Sequence, residues 1–94
     1  MKGYWIAHVT VIDPDRYKGY AEMAPEAFRK YNGRILARGG RFEQLEGEGR
    51  PRNVVIEFDS LEQAVACYRS PEYQAARAKR HGAGEADIVI VEGV

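Results

Sequence analysis

Few side chains here can move a proton or hold a charged ligand. The chain carries His8 and His81, a single cysteine, Cys67, and six tyrosines. A histidine titrates near neutrality. Set beside a carboxylate and a guanidinium, it can transfer a proton while the cation stabilises an anionic or enolic substrate. His8, Glu57 and Arg38 are the candidates for that trio: His8 as acid or base, Glu57 orienting it, Arg38 holding the anion. The same residues also suit a buried Arg38–Glu57 ion pair with a hydrogen-bonded His8, serving only to set the register of an assembly. Tyr17 and Tyr20, with Tyr68 and Tyr73, can line a pocket for a flat organic ligand and orient it through their hydroxyls. Their helical spacing fits ordinary amphipathic packing equally well.

Other features point away from chemistry. Cys67 has no partner in the sequence and falls on an apolar helix face, which suits a small buried hydrophobe rather than a nucleophile. Neither histidine has metal-ligand spacing to an acid or thiol, so neither a metal nor a cofactor is expected. Arg38-Gly39-Gly40 does not open a helix, so it is not expected to cradle phosphate. Arg77, Lys79 and Arg80 sit at a helix end, where they complement the dipole, and Glu85 and Asp87 follow closely.

Composition bounds the partners. Ninety-four residues make one domain, 1–94, with 45% hydrophobic residues to fill a core. Lys and Arg together number 14, as do Asp and Glu. That neutrality argues against a nucleic-acid partner. No apolar run reaches the roughly 20 residues that span a bilayer, so no membrane is expected. A single cysteine and the absence of a leader pattern fit the cytoplasm.

The elements that must position these residues follow from periodicity. Tyr4–Ile12 is β-branched and aromatic and reads as a strand. Asp13-Pro14 caps a helix through Tyr17, Tyr20, Ala24, Phe28 and Tyr31, with a kink or break expected between Ala21 and Pro25 and a left-handed cap at Gly33. Arg34–Arg38 is a second strand. Gly39-Gly40 bends it before Arg41–Glu46 resumes the alternation, and Gly47–Pro51 turns into a third strand, Asn53–Phe58. Ser60-x-x-Gln63 opens a second helix, jointed at Ser70-Pro71, and Ala86–Val91 closes the chain as a strand. The order β-α-β-β-α-β is the α+β ferredoxin-like arrangement: a four-stranded antiparallel sheet, order 4-1-3-2, with two helices on one face.

Nothing in the chain covers the other face of that sheet. Ile88–Val91 and Val54–Ile56 are nevertheless apolar on both sides, which calls for a second copy packed sheet against sheet, burying on the order of 800 Å² per partner. On strict alternation Trp5, Ala7, Val9, Ile35, Ala37, Val54 and Ile56 meet the helices. His8, Thr10, Arg38 and Glu57 then share the uncovered face, which is what brings the trio together.

Tyr17-x-x-Tyr20, Arg38-Gly39-Gly40, Glu46-Gly47, the Val54–Phe58 strand, Tyr68-x-Ser70-Pro71-x-Tyr73 and Val91-Glu92-Gly93 together resemble the DUF1330 family over essentially the whole chain. The resemblance implies a homodimeric member of the dimeric α/β-barrel superfamily, which also holds cofactor-free monooxygenases, muconolactone-isomerase-like enzymes and purely structural proteins. Two functions are consistent with this reading: a cofactor-independent enzyme acting on a small organic acid or phenol, and a non-catalytic ligand-binding or structural module. A third, RNA binding on the sheet, needs exposed aromatics and a basic rim. Tyr4 alone meets the first need.

Overall fold

The computed structural model describes residues 1–94. Strand β1 (Gly3–Val11) leads into helix α1 (Pro14–Lys30), followed by β2 (Arg34–Arg38), β3 (Arg52–Phe58), α2 (Leu61–Arg69), α3 (Pro71–Arg80) and β4 (Gly84–Glu92). The sheet is antiparallel with order β2-β3-β1-β4, as the alternation predicts. All helices lie on one face, so the ferredoxin-like arrangement holds. None is long and apolar enough to cross a membrane.

Local chemistry explains most boundaries. Asp13 caps α1 through its carboxylate, which accepts from the Arg16 backbone N–H at 3.3 Å. Ser60 does the same for α2, accepting from the Gln63 N–H at 3.0 Å. Ser70 serves two helices. Its hydroxyl donates to the Cys67 carbonyl at 2.6 Å and accepts from the Tyr73 N–H at 3.1 Å. One buried side chain thus ends α2 and starts α3.

Three expectations need correction. The first helix does not break at Pro25, since α1 is one helix through Lys30 with the proline inside it. Losing one N–H costs the helix a single bond, and the packed Ala24, Ala27 and Phe28 around it hold the turn. The left-handed residue after α1 is Asn32, at φ 60°, rather than Gly33. Gly33 is needed for space, because a Cβ there would fall 2.8 Å from the Phe58 ring. Finally, Arg41–Glu46 is not strand, and the connection from β2 to β3 is irregular.

The most consequential departure lies inside β2. Arg34 pairs with Glu57 and Ile35 with Ile56, but Ala37 pairs with Val55 and Arg38 with Val54. Leu36 is therefore an extra residue, and the bulge reverses the facing of everything after it. Ala37 joins the open face. Arg38 turns to the helices.

Trp5 sits at the centre of the core, 1% exposed. Its ring meets Phe28 edge-on at 5.2 Å, Tyr73 at 4.9 Å, Tyr68 at 5.7 Å and Phe58, stacked, at 6.1 Å. The open face has its own pattern. Ile6, Val55, Val89 and Val91 form an apolar centre, with Val89 and Val91 exposed. At one end Glu57 accepts from Tyr4 Oη at 2.9 Å and from the Arg34 guanidinium. Those hydrogen bonds, Arg34's first and Tyr4's second, hold the Glu57 carboxyl below the usual carboxylate range.

Two outcomes are expected. Ser70→Ala should cost about 0.5–2 kcal/mol in urea melts, since it removes the cap on the Tyr73 N–H, while the Cys67 carbonyl keeps the Ser70 backbone N–H; a variant as stable as the parent would show that Pro71 alone starts α3. Glu57 has a depressed folded pKa, so its contribution is present above the unfolded value of about 4.3 and is lost as pH falls through the folded value. The gap in Tm between wild type and Glu57→Gln should then hold from neutrality to about pH 5 and close in more acid solution. A gap independent of pH would contradict the pairing.

Candidate functional site

The predicted trio does not come together. His8 pairs across the sheet with Asn53, whereas Glu57 pairs with Tyr4, so the two lie four residues apart along the sheet, about 13 Å. Arg38 is on the opposite face because of the bulge at Leu36. No Arg38–Glu57 ion pair exists, and Arg34 takes that place. The sequence offered one cue: Arg34 and Arg38 share a face only if the strand between them is regular.

Arg38 instead reaches a cavity between the sheet and the helices. It has a volume of about 240 Å³, and eleven of its fifteen lining residues are hydrophobic. It exists because α1 rests chiefly on α3 and approaches the strands only sparsely. Trp5, Phe28 and Ile56 supply apolar wall, and Ala21 and Pro25 lie along the helix side. Pro25 thus borders the pocket although it does not break the helix. Without its N–H, the Ala21 carbonyl lacks the usual helical donor.

Of the four candidate tyrosines, two line this cavity. Tyr17 and Tyr20 do so, 5.3 Å apart between ring centroids. Tyr73 lies behind Tyr20, with its hydroxyl 2.9 Å from that of Tyr20, and burial pushes both phenol pKa values up. Tyr68 packs on Trp5 and Tyr73 within the core and does not reach the cavity.

Two arginines complete the lining. Arg80, 9% exposed, donates to Tyr73 Oη at 3.1 Å and lies 4.9 Å from the Tyr20 ring centroid. Arg52 sits 5.8 Å from the Tyr17 ring centroid, and its Nε is buried without a hydrogen-bond partner. Both were within reach of the sequence. Extending the β3 alternation back by one residue places Arg52 on the face of Val54 and Ile56, and Arg80 continues the buried stripe of Tyr73 and Ala76. Gly39 makes room for Arg52. At φ 63°, a Cβ there would lie 2.4 Å from the guanidinium. The Arg38-Gly39-Gly40 motif therefore shapes a cationic wall rather than a phosphate loop.

On the open face His8 belongs to a different, wholly polar groove with Thr10, Arg50 and Asp87. Its Nδ1 is 2.6 Å from Asn53 Oδ1, and as donor to that oxygen it leaves Nε2 free to accept a proton. Arg50 bridges Thr10 Oγ1 and Asp87, both at 3.0 Å. Cys67 is fully buried; its thiol donates to the Ala27 carbonyl at 3.5 Å, and burial raises its pKa to about 12. It is no nucleophile in the folded chain.

Comparison with known proteins agrees with the fold. A dimeric ferredoxin-like protein of unknown function from Jannaschia sp. CCS1 superposes with a TM-score of 0.77 at 14% identity, covering 99% of this chain and 100% of that one. A protein of unknown function from Rhodopseudomonas palustris gives 0.71 at 18% identity, over 99% and 82%. SnoaB, a cofactor-independent oxygenase from Streptomyces nogalater, gives 0.67 at 8% identity, over 99% and 93%. At such identities the likeness speaks to fold alone. No curated protein matches the chain. Residues 2–94 match the model of a domain of unknown function, DUF1330, and the chain belongs to that family.

Proposed function

We propose that this chain acts as a homodimer that holds a small organic molecule in the cavity beneath α1. The observation that carries the reading is the cavity itself: about 240 Å³, apolar over most of its wall and furnished with tyrosine and arginine donors. That is just below the roughly 300–1,000 Å³ of common ligand sites, which suits a compact ligand. Pairing through the open face is supported by Val89 and Val91, 55% and 47% exposed, and by similar folds from Jannaschia and Bacteroides fragilis described as dimeric.

The lining favours binding over proton transfer. It holds no carboxylate and no imidazole, and its one phenol of shifted pKa, Tyr20, is pushed upward. A group of that kind donates hydrogen bonds and does not abstract protons at neutral pH. A second reading, a cofactor-independent enzyme, draws on the His8–Asn53 bond, which leaves the other imidazole nitrogen without a partner in the polar groove. Likeness in fold to a cofactor-independent oxygenase is compatible with it. Glu57 and Arg38 take no part in that groove.

Two measurements bear on this. Trp5 is the only tryptophan and lines the cavity, so its fluorescence reports occupancy. Small aromatic acids and phenols should change that signal and raise Tm, with about 1.4 kcal/mol of stabilisation at ten times Kd. If no member of such a panel changes either, the cavity reading fails; if His8→Ala removes ligand-dependent turnover, the enzyme reading replaces it. Sedimentation should show twice the 10.6 kDa chain mass, reduced to a folded monomer by Val89→Asp. A wild-type monomer at micromolar concentration would overturn the assembly.

A further inference from the structure

We infer that the cavity selects a carboxylic acid in its ionised form, carried on a compact apolar body. The inference rests on the cavity reading above and adds the chemical class of the ligand. Arg38, Arg52 and Arg80 all line one cavity, and no Asp or Glu lines it with them. None of the three makes an ion pair. Elsewhere Lys2, Arg29, Lys30, Arg34 and Arg50 each find a carboxylate. Arg16, Lys18, Arg41, Arg69, Arg77 and Lys79 also lack a carboxylate, but all six are exposed to water and none lines this cavity.

Burial sharpens the point. A guanidinium removed from water requires a counter-charge or a full set of hydrogen bonds. Arg80 is 91% buried by its 9% exposure, and its partners are the hydroxyl of Tyr73 and the face of Tyr20. Arg52 has a buried Nε with nothing to donate to. An anion in the cavity supplies both needs, and the planar fork of a guanidinium matches a carboxylate's two oxygens.

The hydroxyl chain has a direction that fits. Arg80 can only donate, so Tyr73 Oη accepts from it, and Tyr73 can pass its own proton to Tyr20 Oη at 2.9 Å. Tyr20, which lines the cavity while Tyr73 does not, then has its hydrogen left for the ligand. Arg80, Tyr73 and Tyr20 thus form a polarised donor relay ending on an acceptor. The remaining wall of Trp5, Phe28, Ile56 and small alanines offers nothing to a second charged group. An apolar-bodied monocarboxylate fits where free phosphate does not.

The test is a titration followed by Trp5 fluorescence and calorimetry at pH 7. Its probes are benzoate, 4-hydroxybenzoate and isovalerate, each against its own amide, with phenol and inorganic phosphate alongside. At least one acid should bind tenfold or more tighter than its amide and than phenol, and phosphate should not compete. Arg52→Met, at the half-exposed end of the cavity, should weaken the acid at least tenfold while leaving amide binding within twofold. Tyr20→Phe should weaken it severalfold. Arg80→Met removes a buried group and is read only if circular dichroism shows a native fold; Arg52→Met carries the test regardless. Amides or phenol binding as well as the acids would leave the cavity reading intact and overturn selection for a carboxylate. Phosphate binding as tightly would overturn the apolar body. Binding by none of the panel would overturn both readings together.

Discussion

The packing of Trp5 against three helices and its own sheet is the contact on which the architecture turns. Its ring touches Phe28 of α1, Tyr68 of α2, Tyr73 of α3 and Phe58 of β3. A small sheet with two crossovers has limited apolar area to bury, and a large aromatic at its centre does the work of several aliphatics. Because α2 packs on the strands while α1 leans on α3, space is left between α1 and the sheet. The cavity lies there, next to the indole. Cavity and core therefore share a wall, and occupancy of the cavity by any ligand should be felt as stability.

A single inserted residue determines which chemistry that space acquires. Strand alternation has a period of two, so one extra residue exchanges the faces of all that follow. The bulge at Leu36 sends Arg38 inward and Ala37 outward. A regular β2 would have set Arg38 opposite Asn53, at the His8 end of the open face, and left a less cationic cavity. The irregular connection after Arg38 continues the arrangement: Gly39, at φ 63°, yields the volume that Arg52 occupies from the far end of the same loop. Two pocket arginines thus bracket one loop.

Much of this was legible in the residues. Element order, strand order, the caps at Asp13, Ser60 and Ser70, and the inward set Trp5, Ala7, Val9, Val54 and Ile56 all follow from periodicity and capping chemistry. The site was only half legible. Tyr17 and Tyr20 are on the helix stripe in either reading, but a bulge at a leucine leaves no mark in a sequence, since Leu36 alternates as acceptably as any other residue. Gly39-Gly40 drew attention to the wrong position. Arg80 was hidden differently: three cations at a helix end describe a solvated terminus, and only the sevenfold step from Tyr73 separates the buried member from Arg77 and Lys79.

The two faces of the sheet are chemically distinct, and that separation constrains function. The helix face buries unpaired positive charge beside phenols that hold their protons, so it can bind and polarise but not deprotonate. The one imidazole on the sheet stands on the other face, hydrogen-bonded to Asn53. A sheet is one residue thick, and its side chains cannot reach through it. Any reaction in which His8 takes a proton from a molecule held by Arg52 and Arg80 would have to pass that proton through the strands, where β1 and β3 bond each other in continuous register from Gly3 to Val9. Binding beneath α1 and acid–base chemistry at His8 are therefore alternatives within one subunit, not two halves of one mechanism.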